Sequence, residues 1–191
     1  LSILECTGAT VTTQNLQSYE QFYQSLPDRM GFFPQYYRFL TSIALDLEAL
    51  GFDGDVGERL CSVVEKNGLD QAELSDLQRG EAMRLLARRG IAAKNSDQLQ
   101  QRLHMFMDQS ANFALPNRKL AYELTHIVFY LSEYGRCDPQ LSEKACKSLT
   151  FTGILAHLEQ NADLLSEVCV ALRYAGKTPP TQWEEWIKSV V

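Results

Sequence analysis

Two stretches set the reading of this chain: "LTSIALDLEALG", residues 40–51, and "LTHIVFYLSEYG", residues 124–135. Leu, Thr, Ile, Leu and Gly recur at the same offsets, which identifies an internal repeat, the feature to seek before any other because it decides the fold. Two further runs end in the same way, "LLARRG" at Gly90 and "ALRYAG" at Gly176. Four residues before each glycine stands a leucine: Leu47, Leu86, Leu131 and Leu172. Eight before stand Ile43, Ala82, Ile127 and Val168. Eleven before, Leu40, Leu124 and Leu165 are apolar, and Arg79 is the exception. Steps of four, four and three trace one stripe of a helix. A glycine at its end suits a left-handed closing residue, where a Cβ would clash.

After each glycine come a short polar stretch and a second periodic run. These runs are Val56–Leu60–Val63, Leu99–Leu103, Leu141–Ala145–Leu149 and Trp183–Trp186–Ile187. Asp55, Ser96, Asp138 and Thr178 are expected as N-caps or near-caps, with Pro139 and Pro179 in first helical positions. The expected fold is all-α: four helix–Gly–turn–helix hairpins stacked as an α-solenoid or partial α/α toroid, an irregular helical bundle being the competing arrangement. Segment 1–32 reads as an N-terminal arm and aromatic cap, with "ATVTT" (9–13) as a short β-branched arm. Residues 33–191 read as one helical-repeat domain with units at about 33–67, 70–110, 116–157 and 158–191, since a lone hairpin cannot bury its own stripe. Residues 19–39 hold eight of the nineteen aromatic residues. That density is expected to close one end of the stack, with a partner surface as the alternative, and Trp183 and Trp186 to close the other.

Composition narrows the function classes. In 191 residues, 45% are hydrophobic and 22% charged, with a net charge of −6. That is a globular composition, with no field favouring nucleic acid or anionic lipid. The basic cluster Arg84, Arg88, Arg89 reads as a helix C-terminal end suited to the macrodipole. Five cysteines without a C-x-x-C pair suit a reducing, cytoplasmic setting. No apolar run reaches membrane-spanning length. The first residues make a poor signal peptide, and the missing initiator Met suits a processed or cut start.

Candidate chemistry centres on His126. Nine residues before the four glycines stand Ser42, Glu81, His126 and Glu167. Helical spacing puts Glu123, His126 and Tyr130 on one face. These three are the catalytic candidates, and Glu81, His126 and Glu167 the ligand-binding ones, because a carboxylate–imidazole cluster can move a proton or hold a small molecule. The commoner fate of such a histidine is a half-buried, hydrogen-bonded residue. "ELTH" has the Glu-x-x-His spacing of di-iron helices, but no second copy exists. His104 and His157 read as packing or surface residues. "AGKTPP" follows a helix and lacks the first glycine of a phosphate loop. "GFDGDVGE" lacks the EF-hand spacing. No metal site and no cofactor are expected.

The segment 121–135, with Thr125, His126, Phe129, Tyr130 and Gly135 spaced T-H-x-x-F-Y-x-x-x-x-G, resembles uncharacterised bacterial all-helical proteins. That resemblance implies a helical fold and no particular activity. The functional expectation is a non-enzymatic helical-repeat binding module whose partner is a protein or small molecule. The alternative is an enzyme or small-molecule binder with a carboxylate–histidine pocket at His126.

Overall fold

The computed structural model describes residues 1–8 and 10–190, leaving the side chain of Thr13 aside. Among these residues every regular element is helical. Ala9, the first residue of the expected β-branched arm, lies outside the described residues. The rest of that segment leads into a helix capped by Thr12, whose side chain accepts from the Asn15 N–H at 3.3 Å. No helix among the described residues is long and apolar enough to cross a membrane. The chain divides into two compact units, Leu1–Ser96 and Asp97–Val191.

The first unit contains α1 (Ser2–Cys6), α2 (Thr13–Gln17), α3 (Glu20–Phe32), a 3-10 turn (Pro34–Tyr36), α4 (Tyr37–Ala49), α5 (Val56–Asn67) and α6 (Asp76–Ala87). Helix α4 is its centre, packed by α1, α3, α5 and α6. The expected stripe accounts for most of this, since Leu40 and Leu47 are buried and Ile43 partly so, with Ala44 beside it at the centre of the contact. They meet Tyr23, Leu26 and Met30 of α3, Leu60 and Val64 of α5, and Ala82 and Leu86 of α6.

The second unit contains α7 (Ser96–Met107), a 3-10 turn (Ser110–Ala114), α8 (Arg118–Leu131), α9 (Glu143–Leu158), α10 (Ala162–Tyr174) and α11 (Thr181–Val190). Helix α10 packs against α8, α9 and α11. Leu165, Val168 and Leu172 form its buried stripe. Gly153 lets α9 receive Trp183 of α11, because a Cβ there would overlap the indole ring.

All four repeat glycines lie beyond helix ends with positive φ: 99° at Gly51, 69° at Gly90, 88° at Gly135 and 69° at Gly176. Three of them close their helices directly. The N–H groups of Phe52, Ile91 and Lys177, each one past the glycine, donate to Leu47, Leu86 and Leu172, which satisfies a carbonyl the helix leaves open. Gly135 differs. Helix α8 closes two residues earlier, at Glu133, with Tyr134 N–H donating to the Phe129 carbonyl. Glu133, Tyr134 and Gly135 are then consecutively left-handed, with φ of 47°, 53° and 88°. Gly135 is required there for a second reason, because a Cβ would lie 2.5 Å from Tyr174 Cε1.

The caps depart from expectation at two starts. Helix α9 is capped by Ser142, whose side chain accepts from Ala145 N–H at 3.1 Å. Asp138 instead folds the preceding turn by accepting from Gln140 N–H at 2.8 Å. Helix α11 starts at Thr181, so Thr178 and Pro179 belong to the turn. Asp55 precedes α5 as expected, but without a side-chain cap bond.

Another part of the first unit supplies that cap. Val56 N–H donates to the Tyr23 hydroxyl at 3.0 Å, and Gly57 N–H to Glu48 Oε1 at 2.7 Å. The carboxylate thus meets the positive end of α5. Tyr23 itself donates to Glu48 Oε1 at 2.5 Å, and Arg89 pairs with Glu48 Oε2. Burial and the Glu48 carboxylate push the Tyr23 hydroxyl far above its ordinary pKa, so it stays a donor. Gly54 and Gly57 make room, since a Cβ at either would strike Tyr23 or Glu48. One carboxylate ties α3, α4, α5 and the end of α6 together.

Candidate functional site

Several charged residues of the first unit are committed to its architecture. Arg88 pairs with Asp46 at 2.7 Å and Glu5 at 3.5 Å, and Asp46 also accepts from Ser2 Oγ at 2.6 Å. Arg38 pairs with Glu73 at 2.7 Å and with Glu81. The Arg84, Arg88, Arg89 cluster is therefore a set of core-facing cations, with Arg84 buried at 6% exposure. Paired carboxylates, not helix-end placement alone, account for two of its three members. Glu81, a ligand-binding candidate, spends its carboxylate on Arg38.

The other candidates lie on α8 and α10 of the second unit. His126 Nε2 stands 3.5 Å from Glu167 Oε1, and Glu167 Oε2 accepts from Thr125 Oγ1 at 2.6 Å. The pair forms because both helices present a polar residue beside their apolar stripes where they pack. One turn earlier, the Tyr122 hydroxyl donates to Asp163 at 2.7 Å. That bond, with burial second, raises the tyrosine's pKa. The His126 ring lies 6.3 Å from Tyr122, 6.0 Å from Phe129 and 6.1 Å from Tyr130, by centroids. Glu123 turns to Lys119 at 3.9 Å. The structure thus brings His126, Glu167 and Tyr130 together, with Thr125 holding the carboxylate. Such an arrangement can relay a proton or accept a hydrogen-bonding ligand. Among the described residues no three His, Cys, Asp or Glu side chains are grouped to hold a metal ion.

The remaining histidines lie elsewhere on the second unit's helices. His157 stands edge-on to Trp186, with ring centroids 5.3 Å apart. His104 is half-buried on α7.

A second place, in the first unit, was not among the site candidates. The aromatic segment splits between two fates. Tyr23 and Tyr37 are buried at 0% and 3% exposure. Phe32, Phe33, Tyr36 and Phe39 face outward at 77%, 45%, 57% and 62%. Phe22, Arg29, Phe33, Tyr36, Phe39 and Leu40 line a groove of about 510 Å³. Helix α3 buries Tyr23, Leu26 and Met30, so Phe22, Ser25 and Arg29 fall on the flank beside that face, with Phe22 partly buried against the core and Arg29 exposed. The Arg29 guanidinium lies over the Phe22 ring, 5.0 Å from its centroid, and its Nε donates to Ser25 Oγ at 2.8 Å. The signal was present in the sequence as aromatic density, but density alone does not separate rings facing inward from rings facing out.

No curated protein and no solved structure matches the chain. One family model does, across residues 1–191, and its description is "Domain of unknown function (DUF6902)". The chain belongs to that family.

Proposed function

We propose that this protein is a non-enzymatic helical-repeat binding module, with its α-hairpins in the manner of an α-solenoid or partial α/α toroid. The glycine-closed helices support the repeat reading, as does the side-by-side packing of first helices within each unit, α4 with α6 and α8 with α10. The observation that carries the binding reading is the outward-facing groove of Phe33, Tyr36 and Phe39, an apolar surface beside the charged side chain of Arg29. Aromatic rings left in water at one place mark an interaction site. The partner is a protein or small molecule, not nucleic acid or membrane, as the net charge of −6 favours. The buried thiols Cys61 and Cys169 suit a cytoplasmic setting.

The test compares ligand and protein capture by the native chain with capture by Phe39→Gln. Phe39 is 62% exposed, so the variant keeps the fold. A partner held by the native chain and lost by the variant is the expected result. Identical recovery from both would remove the groove as the binding surface.

The His126–Glu167 pair supports a second reading, a small-molecule pocket or enzyme site with Glu123 and Tyr130 beside it. Under that reading, a ligand that raises the melting temperature of the native chain loses its effect on His126→Ala and on Glu167→Gln.

A further inference from the structure

We infer that the groove between the end of α3 and the start of α4 binds a small apolar monocarboxylate, its carboxylate held by Arg29 and its apolar body laid along Phe33, Tyr36 and Phe39. The inference rests on the binding-module reading and names the ligand chemistry. Three observations carry it. The first is charge. Arg38, Arg59, Arg79, Arg88 and Arg89 of the same unit each pair with a carboxylate. Arg29 has no carboxylate partner among the described residues, and with Nε on Ser25 both terminal nitrogens remain unused. A planar guanidinium so placed matches the two oxygens of a carboxylate.

The second observation is size. About 510 Å³ falls within the roughly 300–1,000 Å³ of small-molecule sites. The third is the lining, which is aromatic or aliphatic except for Arg29. The cation sits over the Phe22 ring at one wall, which orients a ligand with its charged end there and its hydrocarbon toward Phe39. An anionic bilayer is a poor occupant, because the chain as a whole carries −6.

The experiment is calorimetric titration of the full chain with decanoate below its micellar concentration, beside decan-1-ol and decylamine. Decanoate is expected to bind one to one. The alcohol and the amine are expected to bind at least about tenfold more weakly, the worth of one charge-assisted contact. Arg29→Gln should weaken decanoate by about the same factor and leave decan-1-ol unchanged. Arg29 is exposed, so its far-UV circular dichroism should match the native chain. Leu74→Ser, at a residue 96% exposed and outside the groove, should bind decanoate as the native chain does. The inference is overturned by absent decanoate binding, by equal affinity for the alcohol, or by an Arg29→Gln variant with native affinity. Preference for phosphatidylglycerol vesicles over free decanoate also overturns it. If the inference fails while Phe39→Gln still loses a captured partner, the binding-module reading survives. If Phe39→Gln loses nothing either, both fall.

Discussion

Gly57→Ala should destabilise the protein, although helix propensity alone says the reverse. Replacing a helical glycine with alanine ordinarily stabilises by about 1 kcal/mol. Gly57 is the second residue of α5, and its N–H is held by Glu48 Oε1 at 2.7 Å. A Cβ there would lie 2.6 Å from Glu48 Oε2 and 2.8 Å from Leu45 Cδ2. Neither neighbour can yield cheaply. Leu45 is 0% exposed, and the Glu48 carboxylate is fixed by Tyr23, Arg89 and Gly57 itself. Overpacking by one methyl costs about 1–3 kcal/mol. Loosening a hydrogen bond to a charged group adds about 1.5–3 kcal/mol where the bond is lost outright. Set against the propensity gain, the net expectation is a loss of about 2 kcal/mol. In urea this lowers the midpoint by about 1 M at an ordinary slope of about 2 kcal/mol/M. Far-UV circular dichroism is the right probe, because both tryptophans, Trp183 and Trp186, lie in the second unit. In a Glu48→Ala background the same substitution should cost at least about 1 kcal/mol less, since its main obstacle is gone. A Gly57→Ala protein as stable as the native one, or a cost unchanged in the Glu48→Ala background, would refute the reasoning.

Two further predictions concern the rest of the molecule. Gly135→Ala should destabilise by about 2 kcal/mol or more in urea melts, because it combines left-handed strain with a collision against Tyr174, whereas Gly176→Ala carries only the strain. Burial raises the thiols of Cys61 and Cys169 to about 11 from an ordinary 9. Each therefore contributes stability that is fully present below pH 9 and is lost as pH rises through 11, because the unfolded chain deprotonates first. Urea midpoints measured between pH 8 and 11 should fall, and removing both thiols by Cys61→Ala and Cys169→Ala should shrink that fall, leaving the part above pH 10 that the raised Tyr23 and Tyr37 hydroxyls contribute. At pH 8 a thiol reagent should label exposed Cys137 before unfolding and Cys61 and Cys169 only after it.

The helical class and the glycine-closed ends were legible because both follow from local rules. A stripe of period 3.6 and a residue that tolerates positive φ leave their marks directly in the sequence. The Gly135 unit shows where that local reading stops. Leu124 and Thr125 are buried like Leu40 and Thr41, yet α8 closes at Glu133 and its glycine serves Tyr174 instead. Only the tertiary contact explains the shift. The caps at Asp138 and Thr178 were misplaced for a related reason, since Ser142 and the chain after Pro180 compete for the same local role. Glu48 as the cap of α5 was not legible, because its partners Tyr23 and Arg89 come from distant positions.

The site was legible in part. Helical spacing put His126 and Tyr130 near one another, and the repeat register brought Glu167 to His126, whereas Glu123, expected on the same face, turns to Lys119 and Thr125, which holds Glu167, carried no signal. Glu81 shares that register, but Arg38, which no periodicity marks, takes its carboxylate. The aromatic groove required knowing which rings α3 buries, and Tyr23, Leu26 and Met30 decide that from within the core.

The most direct test of the groove as a carboxylate site is an amide chemical-shift map of the full chain titrated with decanoate and with decan-1-ol. The account predicts saturable shifts confined to residues 22–40, centred on Phe33, Tyr36 and Phe39, for decanoate, and the same pattern only at higher concentration for decan-1-ol. Shifts centred on His126 and Glu167, or none for either compound, would contradict it.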